Sequence, residues 1–438
     1  MFHSFDFHLI VRALHHRNYR LYSYGQGISL IGTWAQRVAV AWLVYRLTGS
    51  ALMLGLIGFV GDIPAVLFAP IAGVLADRWN RYRLIIILQF LAMLQAVVLV
   101  VLLLIDLVAV WHLIALTLFS GLLISFEVPI RQSFIIELIE RREDLGNAVA
   151  LNSSLVNGAR LIGPSIAGIL IATVGEGICF LFNAVSYVAV IGCFVAMNIK
   201  PQQRPAKESQ LVGELKQGVR YVFGFPPMRS ILLLLGLISL MGVPYQILMP
   251  VFAKDILQGG PSVLGFLMGC SGAGAFLGAI YLASRRTVVG LETFIAVATG
   301  IFGIGLLAFS LSSFLWLSLV LMVVTGFGMI AQMASCNTML QSLSEDDKRG
   351  RVMSFYTIAY RGMYPVGSLL AGFLASRIGA PATLFLGGVC VLAGGAWYAR
   401  SLPAMREAIR PVFAGLGFLD ADRQAVSRAP DPPVAMEE

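Results

Sequence analysis

Four ionisable side chains lie deep inside apolar stretches of the sequence, where a charge is costly and usually functional. They are Arg37, Asp62, Arg160 and Arg361. A carboxylate removed from water, such as that of Asp62, can bind and release a proton. An arginine holds an anionic or polar group through several hydrogen bonds. These residue types point to proton transfer and ligand binding rather than to covalent catalysis.

Arg37 and Asp62 occupy similar depths in successive apolar stretches, at a helical rise of about 1.5 Å per residue. We therefore expect an ion pair between neighbouring helices. Breaking this pair during a conformational change would alter the proton affinity of Asp62. A permanent structural ion pair explains the same two residues equally well, and the sequence leaves both interpretations open.

Further polar side chains at membrane depth could line a cavity with the two remaining arginines. Tyr356, Tyr360 and Tyr364 recur every four residues and so share one face of a helix. This face suits an aromatic or amphipathic ligand, although packing between helices explains it as well. The cavity candidates are Asn157, Arg160, Gln332, Tyr360, Arg361 and Tyr364.

The elements that must carry these side chains are long apolar helices. Of the 438 residues, 58% are hydrophobic and 12% are charged, whereas soluble domains carry about 25% charged residues. About 20 apolar residues cross a bilayer as a helix. We therefore predict an all-α integral membrane protein with twelve transmembrane helices, at residues 21–46, 52–76, 84–105, 109–128, 147–173, 177–198, 229–254, 262–284, 291–311, 314–340, 351–376 and 381–400.

The basic residues orient these helices. With the N-terminus in the cytoplasm, twenty Lys and Arg residues fall on the cytoplasmic side and three on the other. Such a bias sets topology, so we expect both termini in the cytoplasm. Because the charge is spread over short turns, the net charge of +8 does not indicate nucleic-acid binding.

Composition divides the chain into five segments. We predict a cytoplasmic arm at 1–20, six-helix bundles at 21–198 and 229–401, a polar linker at 199–228 and a disordered tail at 402–438. Within the linker, residues 208–223 could form a helix on the membrane surface.

Cysteine and histidine residues give no sign of a metal site or cofactor. The five cysteines lie inside apolar runs without a CxxC pair, which is typical of buried small hydrophobic residues. His3, His8, His15 and His16 precede the first helix, where no cysteines or paired carboxylates frame them. We interpret them as part of a solvated arm.

The two bundles are related by a weak internal repeat. A shift of 204 residues keeps its register over 23 residues without a gap. Two halves of six helices have the same orientation, which is the plan of transporters with parallel repeats and a binding site near the membrane midplane. The shift superposes Gly146 on Gly350, Gly163 on Gly367 and Gly168 on Gly372.

Three motifs carry a resemblance to a known family. The first helix begins with NYRLYSYGQGIS, the second with TGSALMLGLIGF, and the turn after the second reads GVLADRWNRYR. Over residues 15–400 the chain resembles the major facilitator superfamily, and within it the bacterial branch of the enterobactin exporter and macrolide efflux proteins. The turn keeps the superfamily pattern, whereas the equivalent turn ASRRTVVG in the second half keeps only arginines.

The resemblance implies a cytoplasmic latch between the two halves. Asp77 would face the positive N-terminal end of the eleventh helix, at 350–354. Arg81 would reach Glu127 on the fourth helix. A solvated turn without a latch explains the same charges. The predicted latch residues are Gly73, Asp77, Arg78, Arg81 and Glu127.

The fifth predicted helix carries ARLIGPSIAG at residues 159–168. In the superfamily, an antiporter motif in this helix has the same spacing of small residues and Gly-Pro, and it marks exporters more than importers. Here Ala159, Gly163, Pro164 and Gly168 occupy its positions, with alanine in place of two glycines. The small residues predict close packing against a neighbouring helix.

The resemblance implies a secondary-active, proton-coupled exporter of a siderophore, macrolide or similar amphipathic small molecule. It would work by alternating access as a monomer in the bacterial inner membrane. A lysophospholipid or other lipid translocator of the same fold is the alternative. A membrane enzyme or scaffold is disfavoured because the sequence has no phosphate-binding glycine loop or HExxH motif.

Overall fold

The computed structural model describes residues 12–199, 211–285, 287–345 and 347–415, without the side chains of residues 69–70, 73–78, 142, 211–217 and 415. Because lipid offers no hydrogen bonds, each apolar run pairs its own backbone groups as a helix. The membrane helices are α1 Arg17–Thr48, α2 Ala51–Arg78, α3 Arg81–Leu104, α4 Val110–Glu137, α5 Leu145–Thr173, α6 Glu176–Val195, α7 Pro226–Ile256, α8 Pro261–Ser284, α9 Leu291–Ser310, α10 Leu315–Leu343, α11 residues 349–378 and α12 Ala380–Gly415.

Eleven of these described helices are long and apolar enough to cross a membrane. The remaining predicted span, α11, is divided by a π-helical turn at Ile358–Gly362. A second π-helical turn, Phe252–Ile256, ends α7. A π-helical turn holds one extra residue, so the side chains beyond it are rotated about the helix axis. The predicted all-α membrane fold is confirmed.

The last helix is longer than the sequence predicted. We expected it to end at residue 400 and the tail to be disordered, but α12 continues as a helix to Gly415. Met405, Ile409 and Phe413 recur every four residues and are buried against the C-terminal half. This packing stabilises the extension. The rest of the predicted tail lies outside the described residues.

The first helix also begins earlier than predicted, at Arg17 instead of residue 21. A single 3-10 turn, Arg12–His15, precedes it. His16, between the two, contacts the Asp144 carboxylate at 2.9 Å. This contact ties the described part of the predicted arm to the turn before α5. Residues 1–11 lie outside the described part of the chain.

The linker contains the helix Leu211–Gly224, close to the predicted 208–223. The Phe223 ring meets the Phe355 ring edge-on, with centroids 6.4 Å apart. A Cβ at Gly218 would lie 3.0 Å from the same Phe355 ring. The linker helix therefore packs against the first turns of α11.

Glycines superposed by the internal repeat have equivalent surroundings. Gly163 of α5 packs against α1, where a Cβ would lie 2.6 Å from the Cβ of Trp34. Gly367 of α11 packs in the same way against α7, at the Leu240 carbonyl and the Pro244 ring. Because α7 is the counterpart of α1 six helices later, these contacts agree with the predicted parallel repeat.

Two glycine-to-glycine crossings join the halves. A Cβ at Gly168 of α5 would lie 2.7 Å from the Cα of Gly265 on α8. A Cβ at Gly55 of α2 would lie 2.8 Å from the Cα of Gly372 on α11. The repeat relates the two crossings, and the helix backbones approach more closely at each than side chains would permit.

Both crossings lie at the same end of the molecule. The end with the turns 79–80, 138–144 and 344–348 carries most of the arginines, and we name it the basic end. The crossings lie near the opposite end, where the Tyr45 hydroxyl of α1 also donates to the Asp255 carboxylate of α7. The halves are thus in close contact away from the basic end.

Candidate functional site

A chamber of about 300 Å³ lies between the halves, on the basic-end side of the glycine crossings. Helices α1, α2, α4, α5 and α6 contribute to its walls from one half, and α7 and α11 from the other. Four guanidinium groups against two carboxylates give the lining a formal net charge of +2. We name it the arginine chamber, and its charged residues are Arg37, Asp62, Glu127, Arg131, Arg160 and Arg361.

A second cavity of about 160 Å³ continues from the chamber towards the opposite end. Trp34, Arg37 and Asp62 line both cavities and form the boundary between them, together with Gln246 and Tyr364. Beyond that boundary the walls are mostly aliphatic. We name this cavity the apolar pocket, and its apolar lining includes Leu54, Ile57, Ile247, Pro250, Leu264 and Met268.

Trp34 brings two arginines together. Trp34 and Arg37 are three residues apart on α1 and so share a face, and the guanidinium carbon of Arg37 lies 5.5 Å from the indole centroid. Gly163 lets α5 pack directly on Trp34. Arg160, one turn before Gly163, therefore places its guanidinium carbon 5.7 Å from the same centroid. Both distances are typical of cation–π contacts.

The predicted ion pair between Arg37 and Asp62 is not formed in this conformation. Among the described residues, no side chain lies within hydrogen-bond or ion-pair distance of the Asp62 carboxylate. Arg37 stacks on Trp34 instead. Arg37 and Arg361 are nonetheless close enough for their charges to act on Asp62. The carboxylate therefore lines the two cavities without a direct partner in the described part of the chain.

The structure divides the predicted cavity residues into two groups. Arg160, Tyr360, Arg361 and Tyr364 line the arginine chamber. The Tyr356 ring, one turn earlier on α11, stacks on Tyr360 with centroids 6.5 Å apart. The tyrosine stripe thus combines cavity lining with packing.

Asn157 and Gln332 are not among the residues that line the arginine chamber, and the fully buried Gln332 corrects the prediction for that residue. Asn157 donates to the carbonyl of Ser153 in its own helix at 2.9 Å. Short polar side chains readily form such local bonds with the preceding turn. Gln332 is fully buried in the C-terminal half and donates to the Cys336 sulfur at 3.2 Å.

The ion pair predicted for the latch has a different partner. Arg81 Nη1 lies 2.7 Å from Glu137 Oε1, so the predicted pair with Glu127 is wrong. Arg81 begins α3 and Glu137 ends α4, at the same level. Glu127 lies ten residues earlier, about 15 Å deeper in the bundle. The side chains of the other predicted latch residues, Gly73, Asp77 and Arg78, lie outside the described part of the structure.

Glu127 instead belongs to a polar network in the wall of the chamber. Its Oε1 accepts hydrogen bonds from Gln26 at 3.4 Å and Gln89 at 3.3 Å, and it lies 3.4 Å from an Arg131 nitrogen. Within the described residues, the amide oxygens of both glutamines are buried without a partner. Each such oxygen costs about 1–3 kcal/mol, a loss that functional sites tolerate more often than cores do.

The antiporter-like motif of α5 contacts two helices. Gly163 meets α1 and Gly168 meets α8, while Ala159 and Pro164 are buried. The Pro164 carbonyl oxygen lies 2.7 Å from the position of a Cβ on Gly265. The small face of α5 is therefore used both within its half and between the halves.

Comparisons with known proteins agree with this architecture. The family model of the transmembrane secretion effectors matches residues 13–413. The staphyloferrin A transporter of Staphylococcus aureus is 26% identical over 366 residues, which cover 83% of this chain and 90% of that protein. Macrolide efflux protein A of Streptococcus pyogenes is 21% identical over 381 residues, covering 84% and 92% of the two chains.

Solved structures share the fold. A bacterial homologue of the human lysosomal transporter Spinster, in an inward-facing and occupied conformation, superposes with a TM-score of 0.71 at 12% identity. The match covers 89% of this chain and 97% of that chain. A bacterial homologue of the iron transporter ferroportin in the inward-facing state gives a TM-score of 0.67 at 16% identity, over 88% and 98% of the two chains. From the match across its length and its twelve-helix plan, the chain belongs to the transmembrane secretion effector family of the major facilitator superfamily.

Proposed function

We propose that this protein exports an amphipathic small molecule by proton-coupled alternating access. The two halves, residues 17–195 and 226–415, would rock against each other around the arginine chamber. One observation carries the proposal: the chamber lies between the halves and is closed at one end by the two glycine crossings. Alternating access needs a central site that is sealed on one side at a time.

The distribution of basic residues supports a cytoplasmic position for the basic end. Both termini would then lie in the cytoplasm, and the chamber would face inwards in this conformation. The names of the relatives support efflux across the bacterial cytoplasmic membrane, with siderophores and macrolides as the first compounds to test. The protein would work as a monomer, since one chain supplies both halves.

Asp62 supports proton coupling. Its carboxylate lies at the boundary of both cavities without a direct partner among the described residues. It can take up or release a proton without first breaking an ion pair. Asp77, in the last turn of α2, would latch onto the start of α11 when the chamber faces outwards.

Transport by the purified full-length chain in vesicles tests the proposal. Siderophores, macrolides and lysophospholipids are supplied under an imposed pH gradient. We expect one of the first two classes to move with a matching proton flux, and Asp62→Asn to abolish the coupling. Asp106→Asn, in the exposed turn after α3, is the matched control. Transport of lysophospholipids alone would favour the lipid translocator, and coupling that survives in Asp62→Asn would contradict the role of Asp62.

A further inference from the structure

We infer that the arginine chamber and the apolar pocket form one site for an amphipathic anion. Its anionic group would bind at Arg37 and Arg160 beside Trp34, and its apolar part would fill the apolar pocket. The inference rests on the proposed function, since it names the chemical class of the exported molecule. It depends on three observations: an excess of guanidinium groups over carboxylates, the positions of two of these groups over one indole ring, and the adjoining apolar cavity.

The first observation concerns charge. Within the described residues, no carboxylate lies within ion-pair distance of Arg37, Arg160 or Arg361. This differs from Arg81 and Arg131, which pair with Glu137 and Glu127. Arg37 and Arg361 act on Asp62 at longer range, but the lining keeps a formal net charge of +2. Excess charge at membrane depth is costly, so a bound anion lowers that cost and the chamber favours anions over cations.

The second observation concerns geometry. Arg37 and Arg160 both lie over the Trp34 indole, at 5.5 Å and 5.7 Å from its centroid. A guanidinium group stacked on a ring keeps the donors at its edges free for a carboxylate or phosphate. Since the indole holds both groups in place, less side-chain entropy is lost on binding. Trp34 thus acts as a support for two anion-binding groups.

The third observation concerns the neighbouring cavity. The apolar pocket of about 160 Å³ begins at the same Trp34 and Arg37 that line the chamber. A ligand held by the guanidinium groups therefore meets aliphatic walls at Leu54, Ile57 and Met268. Removing an apolar group from water into such a pocket is favourable. The two cavities together select a molecule with a charged end and an apolar end.

Anion selectivity also fits the direction of transport. A cell interior is electrically negative, so an anion leaving the cytoplasm moves down the membrane potential. The positive chamber would attract the anion from the cytoplasmic side when it faces inwards. A cationic amphiphile would be repelled by the same field.

Binding to the purified full-length chain in lipid nanodiscs tests the inference without any transport step. Three probes share one apolar part: naphthylacetate, naphthylmethanol and naphthylmethylammonium. In calorimetry we expect naphthylacetate to have a Kd at least about tenfold lower than that of the neutral alcohol. One charge-assisted hydrogen bond is sufficient for a difference of this size. Acetate alone should bind more weakly than naphthylacetate, because it leaves the apolar pocket empty.

Variants assign the binding to the chamber. Arg160→Gln should raise the Kd of naphthylacetate about tenfold and leave the Kd of naphthylmethanol unchanged. Trp34→Leu should also raise the Kd of naphthylacetate. Arg377→Gln is the matched control, since Arg377 stacks on Phe373 at 5.6 Å but lies outside the chamber. A Kd unchanged in Arg160→Gln, or equal Kd values for the anion and the cation, would overturn the inference.

The outcome is separable from that of the proposed function. Anion binding that depends on Arg160 but is accompanied by no export in vesicles would support the site and contradict the exporter. Proton-coupled export of a cationic compound that is insensitive to Arg160→Gln would support the exporter and overturn the anion site.

Discussion

Gly168 and Gly265 meet backbone to backbone where α5 crosses α8. Together with the equivalent crossing of Gly55 and Gly372, this contact closes the molecule at the end opposite to the basic end. Each crossing depends on the absence of a Cβ from both helices. The close approach of the helix backbones at this end therefore depends on four glycines.

A side chain at Gly168 should disturb the closed end. In Gly168→Val the Cβ would lie 2.7 Å from the Gly265 Cα, and backbone atoms cannot rotate away. Overpacking of this kind costs about 1–3 kcal/mol. This cost would shift the equilibrium between the closed and open states of this end about 5- to 150-fold towards the open state. Spin labels in the last turn of α5 and the first turn of α8 should report a larger mean distance in Gly168→Val than in the wild type. Gly192→Val is the control, since no atom lies within 4 Å of its Cβ position, and equal distances in the two variants would contradict the prediction.

The pair between Arg81 and Glu137 should contribute to stability. Both side chains are largely buried and their atoms lie 2.7 Å apart, so we expect a coupling energy of about 1–3 kcal/mol. A double-mutant cycle with Arg81→Gln and Glu137→Gln, read from the free energy of unfolding, measures it. The parallel cycle with Glu127→Gln should be additive within about 0.5 kcal/mol. A coupling energy between Arg81 and Glu127 instead would support the pair that the sequence predicted.

Asp144 should make stability depend on pH. A hydrogen bond from His16, supported by the charge of Arg12, holds the pKa of the Asp144 carboxyl below its usual value. Its contribution is therefore present above the unfolded pKa of about 3.9 and is lost as the pH falls through the lower folded pKa. The wild-type Tm should exceed that of Asp144→Asn near neutral pH, and the gap should narrow below about pH 4. A gap that widens on acidification would contradict this assignment, and Asp106→Asn should show no such trend.

The extension of α12 should be part of the folded core. Ile409 is 3% exposed, so Ile409→Ala should lower the free energy of unfolding by about 2–5 kcal/mol. Glu407→Ala, on the exposed face of the same helix, should change it by no more than about 0.5 kcal/mol. Equal effects of the two substitutions would show that the extension does not pack.

The sequence predicts the helices and the repeat because both depend on strong, local physical constraints. A run of apolar residues must form a helix in lipid. Gly163 and Gly367 must pack closely wherever their helices cross, so their spacing survives in two otherwise different halves. The twelve-helix plan follows from length and spacing alone.

The contacts inside the bundle depend on helix rotation and depth, which the sequence leaves open. Asn157 has a suitable side chain but lies one turn nearer the basic end than Arg160, and Gln332 is buried inside the C-terminal half. Arg81 has two acidic candidates on α4, and only Glu137 lies at its level. Trp34 was overlooked, although a tryptophan three residues before an intramembrane arginine is a usable signal.

The tail shows a different limit. Richness in Pro, Ala and Arg predicts disorder for residues 402–438, yet α12 continues to Gly415 and contains Pro403 and Pro411. Buried contacts on the opposite face outweigh the lost hydrogen bonds, as tertiary packing often outweighs propensity. Composition alone could not reveal those contacts.

The π-helical turn at Ile358–Gly362 has a consequence for the whole of α11. One supernumerary residue advances everything after it by about 100° around the axis. The extra residue thus changes the direction in which Gly372 points relative to the part of α11 that contacts the linker helix. Deleting one residue within this turn would rotate Gly372 away from Gly55, although the rest of the helix sequence would be unchanged. The relative rotation of the two ends of α11 therefore depends on the number of residues between them rather than on their types.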